Sequence, residues 1–151
     1  MQIGIFVDVA NLYYFTGQKF GGRKIDYTKY WRFIEDFGTV QVAKAYGTQV
    51  RDEATGFIKL LKSIGFDTNF IRFKQGLTND VHIALDMLRA AEHCNMMILG
   101  SGSENLIPAV EEIKGRGVKV VALAGKIHYN LRSVVTEFIE LPESLLETPQ
   151  A

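Results

Sequence analysis

The chain has 151 residues, the usual size of one domain, and its 17 basic and 17 acidic side chains leave no net charge to attract DNA or an anionic membrane. Its single cysteine, Cys94, excludes an internal disulfide, and the sequence contains neither a membrane-spanning apolar segment nor a signal-peptide pattern. We therefore expect a soluble, cytoplasmic, single-domain protein without membrane contact, in which any contact with nucleic acid is local.

Apolar runs typical of buried strands alternate with segments of helical period along the chain. Strands are predicted at residues 2–9, 39–46, 67–73, 95–100 and 118–123, with a short sixth at 137–141 left open. One helix is predicted to begin at Asp26, and four others are predicted at residues 51–64, 78–93, 105–116 and 128–136. This alternation predicts an α/β fold, a three-layer α/β/α sandwich with a mainly parallel sheet of five to six strands. The domain is expected to span residues 1–141, followed by a partly loose polar tail at 142–151.

Polar side chains follow three of the predicted strands, at the point where each strand ends. Asp8 closes the first strand, Asn79 and Asp80 follow the third, and residues 100–105 follow the fourth. In a doubly wound sheet these ends lie on one edge, with the first and fourth strands as plausible neighbours at the switch point. Carboxylates gathered there would repel one another unless a cation neutralised them, which favours a site for Mg²⁺ or Mn²⁺.

Each of these residues also has a purely structural explanation. Considered alone, Asp80 is more typical of a first-turn carboxylate that the helix dipole favours, because an apolar helical stripe follows it. Asp86 is predicted to lie almost opposite that stripe on a solvated face, and its i, i+4 spacing from His82 has no third ligand nearby. Ser103 is typical of an N-cap, although the glycine-rich turn before it could also bind an anion.

Two other folds that handle phosphates are disfavoured. The pair Gly100-x-Gly102 lacks a third glycine and follows the fourth strand, so it is a poor match to the fingerprint of a dinucleotide-binding oxidoreductase. A phosphate-receiver domain would need an acceptor aspartate at the end of the third strand. The chain reads FIRFK there, at residues 70–74.

Three segments in one order carry a family resemblance. They read FVDVAN at residues 6–11, NDVHIALDML at 79–88 and LGSGSENLIPAV at 99–110. In these segments the chain resembles the NYN domain of the LabA-like branch, which is part of the PIN-like nuclease superfamily. The likeness continues through residues 117–120, 130–132 and 138–141, and so covers nearly the whole chain.

The resemblance implies a PIN-like fold that cleaves RNA through a metal-activated water, with one or two Mg²⁺ or Mn²⁺ ions at the carboxyl edge of the sheet. Carried over residue by residue, Asp8 and Asp80 would be metal ligands. Asn11 would orient the site or the substrate, and Asp86 would match an aspartate that the family has on this helix. These four residues are the expected catalytic group.

The third segment departs from the family pattern. Family members usually have Ser-Gly-Asp-x-Asp-Phe, whereas this chain has neutral Ser103 and Asn105 in place of both aspartates. Each lost carboxylate removes a few kcal/mol of attraction to a cation at an effective dielectric constant of about 20, so metal affinity should fall sharply. The site is therefore expected to be a weakened metal-dependent endoribonuclease. The alternative is an inactive module of the same fold that binds RNA or a nucleotide.

RNA is the expected partner, and the sequence offers several groups that could hold it. The expected phosphate- or substrate-binding residues are Ser101, Gly102, Ser103, Asn105, Lys74 and Arg132. Aromatic residues interleave with basic ones just after Asp8, a combination that could stack bases and meet phosphates; they are Tyr13, Tyr14, Phe15, Phe20, Lys19, Arg23 and Lys24. A structural explanation, in which Tyr13 and Phe15 pack under the first helix, is at least as strong. A homodimer through the C-terminal tail or an exposed helix is left open, although no stripe in the sequence demands one.

Overall fold

The computed structural model describes residues 1–49, 55–72, 74–76 and 78–149. These residues form six strands, namely β1 (Gln2–Asp8), β2 (Thr39–Gln49), β3 (Asp67–Arg72), β4 (Met96–Gly100), β5 (Lys119–Ala124) and β6 (Glu137–Glu140). They also form six α-helices, namely α1 (Val9–Lys19), α2 (Tyr27–Glu35), α3 (Thr55–Ile64), α4 (Asp80–Ala90), α5 (Ile107–Gly115) and α6 (Tyr129–Arg132). Over these ranges, no helix combines the length and the apolar character needed to cross a membrane.

All six strands run parallel in a single sheet with the order β3-β2-β1-β4-β5-β6. The chain winds outward from β1 in one direction through β2 and β3, and then returns to β4 on the other side of β1. The switch point therefore lies between β1 and β4, as the sequence predicts, and the carboxyl ends of these two strands flank a natural crevice. The predicted α/β sandwich with a parallel sheet is confirmed.

Two apolar cores cover the two faces of this sheet. Successive side chains of a strand point to opposite faces, so Ile5 of β1 belongs to one core and Phe6 to the other. The first core packs against α2 and α3, for example through Ile34 and Leu61. The second packs against α4 and α5, for example through Met87. Burial on both faces explains why β1 is a nearly continuous apolar run.

The helix α1 is the main difference from the sequence-based prediction, which places no helix between the first strand and Asp26. Its segment is rich in aromatic residues and contains Thr16 and Gly17, which are weak helix formers. Asp8 nevertheless ends β1 and caps α1, while Leu12 and Thr16 are fully buried against the sheet side. Tertiary packing and the cap therefore outweigh the low helix propensity.

Several boundaries also differ from the prediction. The helix expected at residues 78–93 is shorter, since α4 ends at Ala90, and the fifth expected helix is reduced to the four residues of α6. The helix expected at 105–116 begins with a 3-10 turn, Glu104–Leu106, before α5. Residues 51–54 and 73, which the prediction assigns to a helix and a strand, lie outside the described residues.

The C-terminal segment packs against the domain where it was expected to be partly loose. Leu145 and Leu146 are buried, and Leu146 forms an antiparallel bridge with Ile25. The Arg23 guanidinium also contacts the carboxylate of Glu143 at 2.6 Å. Two adjacent leucines provide the apolar surface that holds this otherwise polar segment in place.

Candidate functional site

An acidic cleft of about 450 Å³ opens at the carboxyl edge of the sheet, beside the ends of β1 and β4. We use this name for the cavity between the start of α1, the start of α4 and the loop after β4. Its lining residues are Asp8, Ala10, Asn11, Tyr14, Phe15, Thr48, Thr78, Asn79, Asp80, Ser103 and Asn105. Five of the residues expected at the site therefore meet here, although they are up to 97 positions apart in the chain.

Asp8 has two roles in the local structure, because it ends β1 and caps α1. Its Oδ1 accepts a hydrogen bond of 3.1 Å from the backbone N–H of Asn11, which fixes the direction of the carboxylate. Burial chiefly, with a smaller contribution from the nearby charge of Asp80, raises the pKa of Asp8 from its ordinary value of 3.8 to about 6, against the opposing effect of hydrogen bonds from the backbone N–H groups of Ala10 and Asn11. The two carboxylates are thus close enough to repel each other.

Asp80 is the first residue of α4 and is buried, with only 7 % of its surface exposed. Two neutral groups donate hydrogen bonds of 2.9 Å to its Oδ2, the hydroxyl of Ser103 and the Nδ2 amide of Asn105. No group in the described part of the chain donates to Oδ1. The positions at which the family usually has aspartates therefore supply donors to Asp80 in this chain.

The loop after β4 is held by hydrogen bonds from both sides. The backbone N–H of Gly102 donates to Oδ1 of Asn11 at 3.2 Å, and the N–H of Ser103 donates to the buried hydroxyl of Ser101 at 3.2 Å. A side chain at Gly102 would overlap the backbone carbonyl of Lys126, so this position requires glycine. Asn11, Ser101 and Gly102 therefore act on the shape of the loop and fix where Ser103 meets Asp80.

Ser103 is also an N-cap, as its sequence context predicts. Its Oγ accepts a hydrogen bond of 3.3 Å from the backbone N–H of Asn105 at the start of the 3-10 turn. The same hydroxyl donates to Asp80, so capping and the contact with the carboxylate are compatible.

The sequence places Asn79 at the end of a strand beside Asp80, but no pattern predicts what its side chain does there. Its side chain is buried, and its Nδ2 donates to the backbone carbonyl of Gly47 at 3.2 Å. This bond ties the start of α4 to the end of β2, and so sets the position of Asp80 relative to the sheet. The one available signal is an amide in an otherwise polar loop just before a helix, which is too common to be recognised from sequence alone.

Asp86 lies on the same helix as Asp80 but does not line the acidic cleft. Its Oδ2 accepts a hydrogen bond of 2.6 Å from the hydroxyl of Tyr46, and the cationic groups of Lys44 and Arg89 lie within 3.8 and 3.2 Å of the carboxylate. Burial and this bond raise the pKa of Tyr46 well above its usual range. The sequence predicts Asp86 on a solvated face of the helix, but its side chain is only 17 % exposed because these partners cover it.

Lys74 and Arg132 are not among the residues that line the cleft. Lys74 is exposed, and the guanidinium of Arg132 lies over the ring of Phe138, 5.3 Å from its centre. Tyr13 is 63 % exposed and Tyr14 is 58 % exposed, so the expectation that Tyr13 packs under the first helix is wrong. Phe15 is half-buried, and Nζ of Lys126 lies 5.6 Å from the centre of its ring.

The oxygen atoms of the cleft offer a small set of ligands for a divalent cation. Among the described residues, no group of three or more acidic, histidine or cysteine side chains is arranged to hold a metal. The two carboxylates of Asp8 and Asp80 nevertheless suit one hard cation, since Mg²⁺ is commonly held by one or two carboxylates and keeps several waters. Oδ1 of Asp80 is available, and Asn105 donates through Nδ2, which leaves its carbonyl oxygen as a further acceptor.

Comparisons with known proteins agree with the fold that positions this cleft. The sequence model of the NYN domain matches residues 2–145. The chain is 24 % identical over 157 aligned positions to the low amplitude and bright protein LabA of Synechococcus elongatus, covering 93 % of this chain and 83 % of that protein. The crystal structure of a Vibrio parahaemolyticus protein of unknown function is similar at a TM-score of 0.84 and 28 % identity, covering 97 % of this chain and 96 % of that one. PIN-like nuclease domains generally use divalent metals. The chain belongs to the NYN domain family, within the PIN-like nuclease superfamily.

Proposed function

We propose that this protein is a divalent-metal-dependent endoribonuclease and that the acidic cleft is its active site. The observation that carries the proposal is the pair formed by Asp8 and Asp80, two carboxylates that line one cleft and repel each other, so that the charge of Asp80 adds to burial in raising the pKa of Asp8. No cationic side chain lines the cleft among the described residues, so the pair is not neutralised within it. Mg²⁺ or Mn²⁺ would supply the missing positive charge.

In this proposal, some residues of the cleft bind the cation and others position them. Asp8 and Oδ1 of Asp80 hold the cation, and the helix N–H bond of Asp8 keeps its carboxylate in place. Asn11 positions the loop of Gly102 and thereby keeps Asn105 beside the cation site. The bound cation would activate a water and offset the charge of a phosphodiester. Because Asp8 must be ionised to bind it, loading should weaken as the pH falls below about 6.

RNA is the proposed substrate because the surroundings of the cleft combine aromatic and cationic groups. Tyr14 lines the cleft and is 58 % exposed, so its ring is available to stack on a base. Lys126 is exposed and stands beside Phe15, another lining residue, where its ammonium can meet a phosphate. These contacts are local, in agreement with a chain that has no net charge.

A second candidate function is binding of RNA without cleavage. It is favoured by the two hydrogen bonds that Oδ2 of Asp80 accepts from Ser103 and Asn105. These two neutral donors occupy hydrogen-bonding positions on the Asp80 carboxylate that a cation would otherwise use. Compared with the two aspartates of the family pattern, they also leave the cleft with two fewer negative charges. A cleft of this kind would still present Tyr14 and backbone N–H groups to a nucleic acid.

A cleavage assay separates the two candidates. Fluorescently labelled single-stranded RNA is incubated with Mn²⁺ and wild type, Asp8→Asn or Asp80→Asn, and parallel reactions contain EDTA. We expect wild type to cut and both variants to lose at least about a hundredfold in rate, because each removes one of two charged ligands. Asp67→Asn is the matched control. Asp67 is the first residue of β3, so it lies at the amino ends of the strands, away from the cleft, and its side chain is 64 % exposed.

The double variant Ser103→Asp/Asn105→Asp completes this assay. If wild type is inert and the double variant cuts, the enzyme proposal for this chain is wrong. RNA binding that needs no metal and survives Asp8→Asn and Asp80→Asn would then support the second candidate. Equal cleavage by wild type and Asp8→Asn would point to a contaminating nuclease and would also contradict the proposal.

A further inference from the structure

A second cavity, of about 430 Å³, adjoins the acidic cleft. Four aromatic side chains contribute to its wall, namely Tyr13, Tyr27, Phe57 and Phe70, and we call it the aromatic pocket. Volumes of this size and mainly apolar walls are typical of sites for small organic groups.

The wall of the aromatic pocket is preformed. The ring of Phe57 lies 5.8 Å from that of Tyr27 and 6.3 Å from that of Phe70, so α2, α3 and β3 hold three of the rings against one another. Gly47 forms part of the wall, and a side chain there would overlap the ring of Phe70. The pocket therefore needs little rearrangement to receive a flat ring.

The two cavities share a boundary. Ala10 and Thr48 line both of them, and neither side chain is long enough to divide a ligand that spans the two. A group in the aromatic pocket is thus a neighbour of the carboxylate pair.

The mouth of the aromatic pocket carries one exposed ring and one exposed cation. Tyr13 is 63 % exposed while it lines the pocket, and the side chains of Lys24 and Glu147, which also line it, are exposed. The backbone carbonyl of Lys24 accepts a hydrogen bond of 2.8 Å from the N–H of Glu147, so the C-terminal segment fixes this part of the mouth. An aromatic ring beside an ammonium group matches the two parts of a nucleotide, a base and a phosphate.

We propose that the aromatic pocket binds one nucleobase of a single-stranded RNA whose adjoining phosphodiester lies in the acidic cleft. Tyr13 stacks on the base, and Lys24 contacts a phosphate next to it. The inference rests on the proposed function only in that RNA enters the acidic cleft. Bases that are splayed out of a single strand are commonly held by aromatic side chains, and they become accessible where the strand is not paired.

Direct binding of nucleotides tests the pocket without any cleavage. The four nucleoside 5′-monophosphates are titrated, in EDTA, against wild type, Tyr13→Ala, Asp80→Asn and Tyr129→Ala, and binding is followed by ligand-observed NMR. We expect at least one nucleotide to bind wild type and to lose about tenfold in affinity with Tyr13→Ala. Tyr129→Ala is the matched control, because Tyr129 is 75 % exposed and lines neither cavity, and it should bind within twofold of wild type.

The outcomes separate this inference from the proposed function. Nucleotide binding that depends on Tyr13 and persists in Asp80→Asn supports the pocket, whether or not the wild type cleaves RNA. Absence of binding to wild type, or equal binding to wild type and Tyr13→Ala, overturns the pocket even if Asp8 and Asp80 prove essential for cleavage.

A second measurement uses RNA itself. An oligonucleotide in which one position at a time lacks its base keeps every phosphate, so only base contacts are removed. We expect loss of the base at one position to weaken binding to wild type by about tenfold, and we expect that penalty to disappear in Tyr13→Ala. If removal of a base weakens binding equally in wild type and Tyr13→Ala, Tyr13 does not contact that base, and the inference is contradicted.

Discussion

Asp80 and Asp86 stand on the same helix, but their surroundings differ in charge. Asp86 is contacted by the ammonium of Lys44, the guanidinium of Arg89 and the hydroxyl of Tyr46. Asp80 receives hydrogen bonds from two neutral groups and shares its cleft with a second carboxylate, Asp8. Within the part of the chain that the structure describes, Asp86 has cationic partners and Asp80 has none.

This difference shows why burial and the presence of a carboxylate are not enough to identify a site. A buried carboxylate with cationic partners contributes to the fold and has little left to offer a ligand. Two neighbouring carboxylates without cationic partners repel each other, and a divalent ion bound between them would neutralise their charge. Position on the helix, which is all that the sequence pattern reports, does not distinguish the two cases.

The strongest way to break the comparison is to replace the neutral donors of Asp80 by carboxylates. In EDTA, we expect Ser103→Asp/Asn105→Asp to lower the free energy of unfolding by about 4 kcal/mol, because two hydrogen bonds to a charged acceptor are lost and like charges are added. Mn²⁺ should restore much of this loss. Urea unfolding with and without the metal measures both effects, and Ser103→Thr, which keeps the hydroxyl, is the control. Equal stability of the double variant and wild type in EDTA would show that these bonds do not hold the loop.

The second test removes the charge of Asp8 and follows stability with pH. The native pKa of about 6 lies above the ordinary 3.8, so the contribution of Asp8 to stability is complete below pH 3.8 and is lost as the pH rises through 6. At pH 7 we expect Asp8→Asn to be the more stable protein, by up to about 3 kcal/mol, since asparagine still caps α1. Unfolding midpoints between pH 4 and 7 should converge at the acidic end. A constant difference across this range would count against the raised pKa.

The smallest expected effect concerns the other carboxylate. Tyr46→Phe keeps the buried ring but removes the 2.6 Å bond to Asp86, and should cost about 2 kcal/mol of unfolding free energy. Arg89→Ala, which breaks an exposed ion pair, should cost no more than about 0.5 kcal/mol. Neither variant should change the gain in melting temperature that Mn²⁺ gives to wild type. If Tyr46→Phe abolishes that gain, the two carboxylates are coupled and the comparison fails.

Much of the architecture could be predicted from the sequence, because the signals are local. Strand-like runs alternate with helical segments, as a parallel sheet with crossover helices requires, and the apolar run at residues 3–7 already indicates that β1 is buried on both faces. The ends of these strands then place Asp8 and Asp80 at one edge. By contrast, α1 was not predictable in this way, since it contains several weak helix formers and is held by the Asp8 cap and by packing of Leu12.

The sheet, the edge at which polar groups gather and the neutral character of Ser103 and Asn105 can all be read from local sequence. What those groups do depends on their folded surroundings, in which Ser103 and Asn105 donate to Asp80, Asp86 meets its partners on β2, and the aromatic pocket adjoins the acidic cleft. The physical reason is range. Periodicity and capping act over a few residues, whereas the charge around a carboxylate depends on side chains that are brought together from distant parts of the chain.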